Sequence, residues 1–182
     1  MSANVHPDAY TDWLIMLYQV LAKVRKEGLM SIETDVEQPD GERSVFATMP
    51  QIMTAPYFEF ATDILRLVIG GNLNTAELQV YVDHAIAGYV EAGVADPHLL
   101  KTIWLPMWAS MCGYAPQVAI EFGRQAIPVA HKPDFATLEK KWNEARDQQR
   151  EREQQTQKPL TLNEAIDRFV ASIGGQVDTR EE

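Results

Sequence analysis

The chain has 182 residues, 46% of them hydrophobic, which is the length of one domain with a sizeable core. A net charge of -10 and a pI near 4.8 exclude a general nucleic-acid binder, because no basic stripe exists to displace counterions from phosphates. One cysteine and four scattered histidines supply neither a disulfide nor a zinc pattern; Cys112, inside the apolar run WLPMWASMC, is expected as a buried thiol.

In chain order, His6-Pro7-Asp8 is a lead-in, with Asp8 or Thr11 as the cap of a helix through Tyr10 to Lys26. Leu14, Leu17, Leu21 and Val24 recur at the spacing of one helix face, which leaves Arg25 and Lys26 at the carboxyl end, where cations suit the macrodipole. Gly28 stops or bends that helix. Leu29, Ile32 and Val36 then form a second apolar stripe that leaves Glu33 pointing elsewhere. On an uninterrupted helix Arg25 and Glu33 would sit roughly 12 Å apart and about 80° round the axis. That separation keeps them from neutralising each other, so the two charges can engage a partner carrying the opposite pair. The alternative is an ordinary solvated face.

A loop at QPDGER separates this pair from a short helix over Ser44 to Met53, interrupted at Pro50. Thr54 is read as the cap of the next helix, from about Pro56 to Ile69, with Ala61, Ile64, Leu65 and Val68 inward and Glu59, Asp63 and Arg66 outward. Gly70-Gly71-Asn72 ends it; no strand precedes the glycines and no phosphate-loop pattern follows, so they read as a helix stop. Asn74 with Glu77 forms a capping arrangement for a helix to about Glu91, buried along Leu78, Val82, Ala85, Ile86 and Tyr89.

Asp96-Pro97 opens a helix to Cys112 that Pro106 should kink and Gly113 should stop, with Trp104 and Trp108 on one face as core, dimer seam or interfacial anchor. Pro116 opens the next, through Arg124, with Val118, Ala119 and Phe122 inward and Glu121 placed to pair with Arg124. Asp134 or Thr137 begins a last long helix containing Phe135, Leu138 and Trp142. From Asp147 the composition turns polar and low in complexity, and Leu162, Ile166, Phe169, Val170 and Ile173 then share one face of a short amphipathic segment.

Three of these stretches resemble, in order, the cytoplasmic region of the A subunit of bacterial flagellar stators, the MotA/PomA family. They are the run from Leu17-Tyr18 to Glu37 followed by Pro39, the run Asp63 to Asn72 (DILRLVIGGN), and the run Gly113 to Arg124 (GYAPQVAIEFGR). The resemblance implies an all-α bundle whose charged residues meet the rotor's torque ring, the FliG switch protein; the matching positions are Arg25 and Glu33. Family members ordinarily carry transmembrane helices before this region and between its halves. Here no stretch of ~18 apolar residues exists, and the chain passes directly from Gly93 through Asp96-Pro97 into Leu99.

The expected architecture is therefore a compact all-α bundle of about six or seven helices. Residues 1–146 form the bundle, 147–159 a polar linker or helix extension, and 160–182 an amphipathic segment and tail. The amino terminus lacks the basic then apolar order of a secretory signal, so the expected place is the cytoplasm; the resemblance implies the cytoplasmic face of the flagellar motor. The expected function is non-enzymatic, without cofactor or metal, since no GxSxG, HExxH or phosphate loop appears; the resemblance implies that ion conduction needs transmembrane helices and a B subunit, so none is expected of this chain by itself. The expected partner is a FliG-like rotor protein. One alternative is a stator-related accessory protein that binds stator or rotor subunits to regulate or assemble the motor; another is a helical adaptor outside motility. A homo-oligomer is compatible with either.

Overall fold

A helix that is apolar on one stripe packs on one side, whereas a helix apolar all round must be enclosed. Helix α1 (Pro7–Glu27) is of the second kind: from Tyr10 to Leu21 every residue except Asp12 is buried. The computed structural model describes residues 7–54, 57–71 and 74–157, and all regular structure among them is helical. After α1 come the short α2 (Glu33–Glu37) and α3 (Pro50–Met53), then α4 (Phe58–Gly70), α5 (Thr75–Glu91), α6 (Pro97–Met111), α7 (Pro116–Ala126) and α8 (Phe135–Gln157). Three short 3-10 turns, Leu29–Ile32, Val45–Thr48 and Val129–His131, complete them. The expected all-α bundle is present, with eight α-helices among the described residues because the two short ones count separately.

The chain divides after Arg146 into two compact units. In the first, one core joins α1 to residues of every other helix, including Val36, Ile52, Ile64, Val82, Ile103, Ile120 and Trp142. Trp142 of α8 stacks on Tyr18 of α1, with ring centroids 5.0 Å apart. In the second unit the polar run after Asp147 is helical to Gln157. Residues 158–182, including the amphipathic stretch expected over 160–182, lie outside the described residues, as do His6, Pro56 and Asn72.

Capping chemistry fixes most boundaries. Asn74 Oδ1 accepts from the N–H groups of Ala76 and Glu77 while Glu77 accepts from the Asn74 N–H, a complete capping box. Asp96 caps α6 through the His98 N–H at 2.6 Å, and Asp134 caps α8 through the Thr137 N–H at 2.8 Å. Gly71, in the left-handed region at φ 75°, closes α4. Other expectations require correction. Thr11 is buried inside α1, which starts earlier, at Pro7. Thr54 is the carboxyl cap of α3, donating to the Gln51 carbonyl, and α4 starts at Phe58 without a side-chain cap. Cys112 is exposed, because it lies past the last buried turn of α6. Val118 is 46% exposed; the inward face of α7 is formed by Ala119, Ile120 and Gly123.

That inward face explains the GYAPQVAIEFGR run. Pro106 inside α6 has no N–H to offer the Thr102 carbonyl, and α7 presses Gly123 against that turn. A Cβ on Gly123 would lie 2.7 Å from the Thr102 carbonyl oxygen, 2.6 Å from Pro106 Cγ and 2.8 Å from Leu14 Cδ2. Only a hydrogen fits where α1, α6 and α7 converge. Beyond it, Arg124 grips Glu121 with two parallel bonds, Nε to Oε2 at 2.6 Å and Nη2 to Oε1 at 2.7 Å, and donates Nη1 to the Pro133 carbonyl at 2.9 Å. The pair thus ties α7 to the connection before α8.

Gly123→Ala should destabilise the protein by about 3 kcal/mol, since a backbone oxygen and two packed side chains must move; a lower denaturant midpoint measures it. Hydrogen bonds from Arg124 hold the Glu121 carboxyl below its ordinary value of 4.5. A depressed carboxyl stabilises above the unfolded-state value and loses that contribution as pH falls through the folded-state value. Glu121→Gln should therefore be less stable than the wild type at pH 7, with the difference in melting temperature shrinking as pH drops below 4.5.

Candidate partner-binding site

Helix α1 ends in an elbow. The Gly28 N–H still bonds to the Val24 carbonyl at 2.9 Å, but Gly28 has φ 90°, a conformation that side-chain-bearing residues rarely adopt. The chain turns there into the 3-10 turn Leu29–Ile32, stitched back by Ser31 Oγ donating to the Gly28 carbonyl at 2.7 Å. Helix α2 follows directly. Ile32 and Val36 enter the core and Leu29 packs against it, so the apolar stripe seats the elbow while Glu33 is left outside.

The elbow is pinned by a charge pair. Asp35, only 3% exposed, meets Lys23 Nζ at 2.6 Å and also accepts from the Val45 N–H at 3.3 Å. A buried carboxylate without such partners would be costly. With them, one side chain links α1, α2 and the start of the 3-10 turn Val45–Thr48. A second tie runs from Thr48 Oγ1 to the buried Gln19 Oε1 of α1 at 2.9 Å. Neither Lys23 nor Asp35 stood out in the sequence. The available signal was the position of Asp35, three residues after Ile32 and next to Val36, on the side that faces the core.

Arg25 and Glu33 flank this pinned corner. Both are exposed, and neither side chain makes an ion pair or hydrogen bond with another described residue. Their separation is not that of an uninterrupted helix: Gly28 breaks the helix between them, so the roughly 12 Å and 80° expected from ideal geometry do not apply. The nearby Lys26–Glu27 pair, at 3.3 Å, is solvent-exposed.

The other resembling stretch, DILRLVIGGN, is structural in the same sense as GYAPQVAIEFGR. Ile64 and Leu65 are buried, Arg66 pairs with Asp63 at 2.7 Å, and Gly71 ends the helix. The described histidines have local roles. Nδ1 of His84 lies 2.8 Å from the Val80 carbonyl oxygen, Nδ1 of His98 lies 3.1 Å from that of Ala126, and His131 stacks on Tyr10. Asp83 accepts from Gln79, away from His84. Among the described residues no three His, Cys, Asp or Glu side chains gather as a metal site, and no helix is long and apolar enough to cross a membrane.

Replacing Lys23 by Met should cost about 3 kcal/mol, the low end of the range for a broken buried pair because Lys23 retains some contact with water. Replacing both Lys23 and Asp35 by apolar residues should recover part of that loss, as a double-mutant cycle in chemical denaturation would measure.

No family model matches the chain. No solved structure matches it either. Among curated proteins it is similar to motility protein A of Salmonella typhimurium, 25% identical, and to motility protein A of Escherichia coli K12, 24% identical; each match covers 71% of this chain and 69% of the relative. Each alignment spans 204 positions, whereas 71% of 182 residues is about 129. About 75 positions of the relatives within the matched span therefore have no counterpart here.

Proposed function

The chain is a relative of the motility protein A family, and on that premise we propose that it is a flagellar-motor protein of the stator type. Its work is to touch the rotor's torque ring, a FliG-type protein, through charged residues. The observation that carries this reading is the elbow after α1, where Arg25 and Glu33 stand unneutralised on backbone that the Lys23–Asp35 pair fixes in place. Exposed charges at a rim set orientation and encounter rate more than tight affinity. That suits a contact that must form and release repeatedly. The protein works by binding, without catalysis or a cofactor, and conducts no ions by itself.

A second reading is favoured by one finding, the roughly 75 positions that relatives carry within the matched span and this chain omits. In that reading the protein is an accessory relative that binds rotor or stator subunits and regulates or assembles the motor from the cytoplasmic side. The two readings share the elbow and differ in which subunit it meets.

Arg25→Glu and Glu33→Lys should each weaken binding to the purified rotor switch protein by about tenfold at low salt, with little change in melting temperature. The loss should shrink towards ~1 M salt, where screening acts within about 3 Å. Equal affinity of both variants and the wild type overturns the charged-contact reading. Capture of stator subunits in place of rotor protein selects the accessory reading.

A further inference from the structure

The charged elbow stands beside an apolar hole. A half-open cavity of about 180 Å³ lies where α1, the turn Leu29–Ile32, α4 and α6 come together. Its walls include Val24, Leu29, Ile32, Val68, Met107 and Met111. Arg25 follows Val24 in the chain and Glu33 follows Ile32, so each exposed charge is the sequence neighbour of a residue that lines the hole, without lining it itself. Met30, 60% exposed, belongs to the same turn.

An engineered apolar cavity of about 150 Å³ is large enough to take up benzene. Water that enters a recess with so apolar a lining finds few polar partners, and an inserted apolar side chain would displace it and make the van der Waals contacts instead. Two methionines in the lining can adapt to an incoming shape. Interfaces of the standard kind place a buried apolar anchor at the centre and charges at the rim. The elbow supplies both ingredients, an apolar recess and exposed charges on the chain segments that line it.

We propose that the cavity receives one large aliphatic or aromatic side chain from the partner protein. That side chain is flanked on the partner's surface by an acid that meets Arg25 and a base that meets Glu33. Charge complementarity selects a protein over a small apolar molecule, since the latter would make no use of two unneutralised charges of opposite sign. This inference rests on the rotor-contact reading and adds to it a water-excluding anchor. The charges govern approach, and the anchor governs how long the complex lasts.

Val68→Phe, which fills the hole without altering charge, tests the proposal in the full chain. Ser110→Leu, from another wall, is the substitute if the first variant does not unfold cooperatively. Two measurements are made. In the first, benzene is titrated into wild-type protein carrying labelled methionine methyl groups; the Met107 and Met111 resonances should shift saturably, and the filled variant should show no shift. In the second, affinity for the rotor switch protein should fall at least tenfold in the filled variant, and the loss should persist at high salt, unlike that of Arg25→Glu. Absence of a methyl shift overturns the cavity, whatever the rotor does. Wild-type affinity in the filled variant, with the methyl shift present in the wild type, overturns the anchor but leaves the charged contact standing and points to a small apolar ligand. No rotor binding by the wild type overturns the rotor reading and the anchor with it.

Discussion

Between Tyr10 and Leu21, helix α1 gives up contact with water on all sides except at Asp12, and the remaining elements are arranged to enclose it. A helix in that position must satisfy its polar residues internally and must end before it reaches solvent at an uncontrolled angle. Gln19 meets Thr48, and among the described residues no buried side-chain nitrogen or oxygen lacks a partner. Gly28 then ends the helix, and the turn of chain that follows is drawn back against the core by Ile32 and Val36. The elbow is thus a consequence of enclosure: it is where the central helix first emerges.

The stretches that resemble the motor family serve this enclosure. In the run from Gly113 to Arg124 the glycine stops α6, Pro116 starts α7, Ala119 and Gly123 allow close approach, and Arg124 secures the connection to α8. In the run from Asp63 to Gly71 the buried aliphatics pack α4, and the charged pair stays at its surface. The first stretch, from Leu17 to Glu37, supplies both the enclosed helix and the exposed charges. It alone joins the interior to a candidate contact surface.

What the sequence discloses and what it hides divide along local and distant causes. Boundaries set within a few residues, such as Asn74 with Glu77, Asp96-Pro97 or Asp134, are legible because caps and first-turn prolines act on their own neighbours. Thr54 misleads because a threonine suits either end of a helix, and α3 claims it. Val118 and Cys112 depend on where α6 and α7 turn away from the core, which no local pattern specifies. For the candidate site, exposure of Arg25 and Glu33 follows from the apolar stripes, but their relative placement depends on the positive φ of Gly28. The partner of Asp35 lies twelve residues earlier on another helix, beyond the reach of periodicity.

The bond between Lys23 and Asp35 also has a mechanical meaning. If Glu33 takes load in the proposed contact, that load meets a short helix whose first turn is clamped, through the Asp35 carboxylate shielded from water, to the bundle's innermost rod and to the backbone at Val45. Force entering at that corner is carried inward by a stiff strut, with little of it spent in flexing a loop.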